Sequence, residues 1–137
     1  MKDKGFTLIE LIVVIIVIGV LVTLTFTHYG SYTERALNKE AQANLRLIIA
    51  AERNTRVETG DYYASDSTQP TAINNINTNL RLSLSAATNR KWDYVTTVDN
   101  AADPPTCCAQ ATRNGDDSRT YRIRDTEDNP VADGTCP

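Results

Sequence analysis

Few residues of this chain are of types that do chemistry, and their spacing narrows them further. The only histidine is His28, and the cysteines are Cys107, Cys108 and Cys136. A structural zinc site needs four ligands, commonly from Cys-x-x-Cys pairs or with histidines supplying the remainder. An adjacent pair plus one distant cysteine offers neither, so no metal site is expected. Asp125, Glu127, Asp128 and Asp133 form an acidic group near the end. Calcium needs several oxygens converging on one point, and this spacing does not match an EF-hand loop. A solvated loop is the expectation. No glycine-rich phosphate loop or nucleophile elbow occurs. The sequence therefore gives no reason to expect catalysis or a cofactor.

Arg122 and Arg124 fall on one face of a strand-like run, with Arg113 and Arg119 nearby. The 137 residues carry a formal net charge of −3, which argues mildly against nucleic acid as the main partner. These arginines are expected to be solvated or paired with acidic residues of the next subunit, and DNA contact is the weaker reading. Tyr29 and Tyr32 sit three residues apart and could belong to an aromatic path. With 7% aromatic residues in the chain, packing and interfacial anchoring are the expectation, for His28 as well.

The remaining chemical oddity is Glu10. It lies in an aliphatic run, Phe6 to Phe26, which is 21 residues long. At about 1.5 Å per residue such a helix spans roughly 31 Å, the thickness of a bilayer core. A central acidic residue there costs about 2.5–3.5 kcal/mol. Lys2 and Lys4 precede the run, so the positive-inside rule places the N-terminus in the cytoplasm and the rest outside. A cleaved signal peptide would need a small-x-small site after the run, and "TFTHYGSY" is a poor one.

The elements that position these residues follow from periodicity. Leu37, Ala41, Leu45 and Ile48 make one apolar stripe on an otherwise polar segment of good helix formers. Gly60 and Asp61 supply a stop signal. The expected helix, Phe6 to about Glu58, would be about 80 Å long, more than a small head can bury. Residues 61–90 read as a loop-rich connector with one short helical turn. "KWDYVTTV", "TCCAQATR" and "RTYRIRD" then read as strands, with "NGDDS" as a hairpin connection. The tail "TEDNPVADGTCP" reads as turns. The expected class is α+β: a long N-terminal helix packed on a small C-terminal antiparallel sheet.

"KGFTLIE" followed by the aliphatic run resembles the class III signal of type IV pilins and their relatives, the type II secretion pseudopilins. "RLIIAAERNTRVETGDYYASD" resembles the end of the pilin helix. The resemblance implies cleavage by a prepilin peptidase between Gly5 and Phe6 and N-methylation of Phe6. It implies filament assembly through Glu10, which would accept from the new ammonium of a neighbouring or the same chain and so offset its burial. The alternative role for Glu10 is to snorkel or to cap the helix start, where a carboxylate suits the dipole. The chain departs from many pilins in lacking a proline at Thr27. Thr23, Thr25 and Thr27 could loosen the helix only modestly, by bonding back to carbonyls.

Four stretches are expected: a leader, 1–5; a transmembrane and filament-core helix, 6–30; its amphipathic continuation, 31–58; and a sheet head, 59–137. An exported head suits a disulfide, as in the bridged C-terminal loop of many pilins. Cys136 is expected to pair with Cys108 or Cys107; adjacent strand residues face opposite sides, so only one fits. The resemblance implies a homopolymer of identical subunits, served by the peptidase and a pilus assembly machinery. The subunit would wait in the inner membrane and then enter an extracellular filament for adhesion, twitching motility or DNA uptake. A minor pilin or a pseudopilin is the nearest alternative, and a membrane-anchored enzyme or ligand-binding domain is the alternative of another class.

Overall fold

The computed structural model describes residues 6–65, 69–115 and 118–137, without the side chains of 24–28. The expected leader with Gly5, the hydroxyls of Thr25 and Thr27, the His28 side chain and the middle of the "NGDDS" turn lie outside the described residues. Two compact units divide the chain, Met1–Ala36 and Leu37–Pro137.

Helix α1 runs Leu8–Thr59. It begins where the sequence allows a cap: the Thr7 hydroxyl accepts the Glu10 amide at 3.3 Å, satisfying one of the unpaired first-turn donors. It stays α-helical through Gly19 and Thr27, although the Thr23 hydroxyl bonds back to the Gly19 carbonyl at 2.7 Å. It ends at Gly60, whose φ of 94° suits a residue without a Cβ.

In the first unit the described aliphatic side chains lie exposed. Their exposure runs from 45% at Val14 to 76% at Leu8. Among the described residues no helix is long and apolar enough to cross a membrane. The described side chains of the apolar run stop at Thr23, short of the 21-residue span expected from sequence.

In the second unit the expected helix stripe is the core face. Ala41, Leu45 and Ile48 are fully buried and Ile49 nearly so, while Leu37 is half-buried. The connector holds more order than expected from sequence: α2, Thr71–Asn79, is a nine-residue helix that buries Ala72, Ile73 and Ile76.

The sheet is antiparallel in the order β1-β2-β3-β4, with β1 at Trp92–Asp99, β2 at Thr106–Arg113, β3 at Thr120–Arg124 and β4 at Val131–Ala132. Trp92 pairs with Arg113 and Asp99 with Thr106; Cys108 then pairs with Arg124 and Thr112 with Thr120. The tail, read as turns, contains the short β4, which pairs Val131 with Arg122. Trp92, Tyr94, Cys107, Ala109, Ala111, Tyr121 and Ile123 join the α1 and α2 residues in one core. Burying a large apolar side chain stabilises by about 1.5–3 kcal/mol, so this shared core is what holds α1, α2 and the sheet together.

Candidate functional site

The residues expected to act lie at two places, the start of α1 and the end of the chain. Phe6 is 73% exposed. Glu10 is exposed in the first turn of α1, where a carboxylate is favoured by the helix dipole. Its described neighbours in sequence, Leu8, Ile9, Leu11 and Ile12, are exposed aliphatics.

At the other end, the structure joins Cys108 to Cys136, with S–S 2.02 Å and Cα–Cα 5.8 Å. Strand alternation explains the choice. Cys107, Ala109 and Ala111 point into the core, while Cys108 and Gln110 point to the other face, beneath the tail. Cys107 is a buried free thiol. Burial pushes it well above the usual thiol range, and the charges of Glu52 and Asp125 add to this. A thiol held protonated is a poor nucleophile.

The tail is tied down along its length. The Cys136 amide donates to Gln110 Oε1 at 2.8 Å, and the Asp133 amide donates to the Thr120 carbonyl at 2.8 Å. Gly134 lies so close to Arg122 that a Cβ there would sit 2.5 Å from its Cγ. Arg122 Nη1 donates to both Glu127 oxygens, at 3.0 and 3.2 Å. Helix α1 reaches the same segment: Arg53 donates to the Asp125 and Glu127 carbonyls and Arg46 to Asn129. Arg56 donates to the Tyr62 hydroxyl at 3.1 Å, and that hydroxyl donates to Asp125 Oδ2 at 3.1 Å.

The acidic group is thus spread over different partners. Desolvation pushes the Glu127 carboxyl up, but the Arg124 amide and the Arg122 guanidinium outweigh it and hold it below its usual value. Among the described residues no three His, Cys, Asp or Glu side chains are placed to hold a metal ion. Of the four arginines, Arg122 is engaged by Glu127, Arg113 stacks over Trp92 at 5.3 Å, and Arg119 donates to Asn38 at 3.4 Å.

The residue that sequence reasoning passed over is Glu52. It is fully buried. Burial pushes its carboxyl up to about 7, partly offset by the Tyr63 amide it accepts at 2.9 Å. The signal was present: Glu52 follows Ile48 by four residues, on the apolar stripe.

Residues 1–26 match the prokaryotic N-terminal methylation motif. The chain is 33% identical over 97 residues to the fimbrial protein of Neisseria meningitidis, covering 71% of this chain and 49% of that one. It is 32% identical over 53 residues to the type IV major pilin protein of Myxococcus xanthus, 39% of this chain and 24% of the relative. It is 43% identical over 54 residues to the type IV narrow pilus major component of Thermus thermophilus, 39% of this chain and 43% of the relative. The chain therefore matches half or less of the length of each of these relatives. No solved structure matches it.

Proposed function

We propose that this pilin-like chain is the structural subunit of a type IV pilus and acts by polymerising rather than by catalysis. The observation that carries the reading is the methylation motif over residues 1–26, on a helix whose described aliphatic side chains from Leu8 to Val22 are exposed in the single chain. Such a surface is stable only against lipid or against copies of itself. The subunit waits in the inner membrane as a single pass with its N-terminus in the cytoplasm. Prepilin peptidase cuts between Gly5 and Phe6, Phe6 is N-methylated, and the assembly machinery moves the helix from lipid into the filament. Glu10 accepts from the Phe6 ammonium, offsetting the cost of burying it. The contacts are heterologous and non-closing, so they extend as a helix.

Adhesion, twitching motility or DNA uptake is then work of the filament. The Cys108–Cys136 bridge favours a pilin over a type II secretion pseudopilin. Intact-mass and N-terminal peptide analysis of purified surface filaments tests the proposal. The expected subunit starts at a methylated Phe6. A subunit starting at Met1, or beyond Tyr29, overturns it.

A further inference from the structure

Among the described residues, the head encloses two buried polar side chains, Glu52 from α1 and Thr96 from β1. They hold opposite sides of one residue. The Tyr63 amide donates to Glu52 Oε2 at 2.9 Å, and Thr96 Oγ1 donates to the Tyr63 carbonyl at 3.0 Å. Ser65 extends the arrangement: its amide donates to Thr96 Oγ1 at 2.9 Å and its hydroxyl accepts the Thr96 amide at 2.8 Å. Tyr62 exchanges two bonds with the Asn100 side chain, at 3.1 and 3.0 Å. Residues 62–65 thus form a strap between helix and sheet. Neutral groups hold its backbone on the sheet side, and the Glu52 carboxyl holds it on the α1 side.

That carboxyl is poorly served as an anion. It is wholly buried, it accepts one backbone donor, and its Oε1 reaches no partner. A buried charge with so little compensation is costly, whereas a neutral carboxyl still accepts the Tyr63 amide.

The groups packed around it do not offset the charge. On α1, Arg53 and Arg56 turn their guanidiniums to the Asp125 and Glu127 carbonyls and to the Tyr62 phenol. From β2 comes the Cys107 thiol, which burial and the charges of Glu52 and of Asp125, in the turn after β3, keep protonated; from β1 comes the neutral Thr96, on the other side of Tyr63. The strap adds the Tyr62 phenol, which burial and Asp125 push up despite Arg56.

We propose that Glu52 is a proton-operated latch: its neutral carboxyl holds the strap 62–65 to α1, and its ionised form drives the strap open toward water. The upward push on this carboxyl, to about 7, places the change near neutrality. The latch is closed in acid and loosened in alkali. It belongs to the head, so it stands or falls independently of the filament role.

The test is amide hydrogen exchange of Tyr63 and Ser65 in the full-length chain in detergent micelles, normalised to intrinsic rates. The opening equilibrium is expected to rise by at least about tenfold between about pH 5 and about pH 8. Glu52→Gln keeps an acceptor for the Tyr63 amide but cannot ionise, so its opening should not change with pH. Equal protection of the wild type at both pH values overturns the latch, as does a Glu52→Gln chain that keeps the pH dependence. If Glu52→Gln does not fold, 13C NMR of the wild-type Glu52 carboxyl decides. A midpoint near neutrality supports the latch, and one at the ordinary carboxylate value overturns it.

Discussion

The indole Nε1–H of Trp92 donates to the backbone carbonyl of Leu37, 2.9 Å away and 55 residues earlier in the chain. Trp92 is 1% exposed and packs at 5.6 Å against Tyr121. One side chain therefore ties the first residue of β1 to the helix where the second compact unit begins. Trp92→Phe keeps an aromatic ring but loses the bond and some volume. The expected loss is about 2 kcal/mol, read as a lower denaturation midpoint of the full-length chain in detergent. An unchanged midpoint would show that this contact contributes nothing net.

The cysteines should separate cleanly. The bridge closes a sequence separation of 28 residues, worth roughly 3–4 kcal/mol in the chain-entropy model. Cys108→Ser and Cys136→Ser should each lose about that much. Cys107→Ser should cost less, about 1–2 kcal/mol, from placing a hydroxyl in the core. In the native chain an alkylating reagent should leave Cys107 unmodified. Rapid native labelling of Cys107 contradicts its placement.

Global stability should carry the opposite pH dependence from that of an ordinary paired carboxylate. Glu52 is raised from 4.5 to about 7 in the folded chain. The native state therefore binds a proton that the unfolded state has released. This contribution is complete below the unfolded value and is lost as pH rises through about 7, up to about 3 kcal/mol. Glu127, held low by its partners, contributes above its unfolded value and loses that contribution as pH falls. Urea midpoints from acid to mildly alkaline pH should therefore fall on the alkaline side in the wild type, and Glu52→Gln should remove that fall.

Gly134→Ala should act through Arg122. The added methyl meets the Arg122 side chain at 2.5–2.8 Å. Arg122 must move, and its bond to Glu127 is strained or lost. A cost of about 1 kcal/mol is expected, with proteolysis of the tail after Asp128 increasing. Unchanged proteolysis would mean that the tail does not depend on this contact.

Glu10→Ala should leave membrane insertion intact, since losing a charge favours lipid, yet reduce surface filaments relative to membrane-held subunit. Normal filament yield in a strain with no other pilin would remove Glu10 from the assembly account.

Periodicity made the main elements legible. The stripe through Ala41, Leu45 and Ile48 and the three longer strands follow from residue spacing and β-branched or aromatic content. Helix α2 does not: "TAINNINTN" is rich in Asn and has no side-chain cap, so its helicity comes from burying Ala72, Ile73 and Ile76 rather than from propensity. Strand β4 is two exposed residues, too short to carry a period. Glu52 was hidden by its own charge. Its position on the stripe placed it inside, while its residue type pointed outside, and the Tyr63 amide that it accepts comes from beyond the helix. Which of the adjacent cysteines pairs with Cys136 depends on which face of β2 meets the helix, a tertiary fact that local sequence does not fix.

The alternation of Cys107 and Cys108 has a consequence for how the head is proofread during oxidation. Slipping β2 by one residue would turn every side chain to the other face. Gln110 and Thr112 would enter the core, Ala109 and Ala111 would leave it, and Cys107 would be the cysteine offered to Cys136. In the native register Cys107 is buried and protonated, so the tail can close only on Cys108. The covalent bond is therefore a record of correct strand alignment, written once the hydrophobic face has chosen its side. Chains that oxidise through Cys107 would carry a misaligned bridge, which disulfide peptide mapping distinguishes from the native one and thiol exchange can reverse.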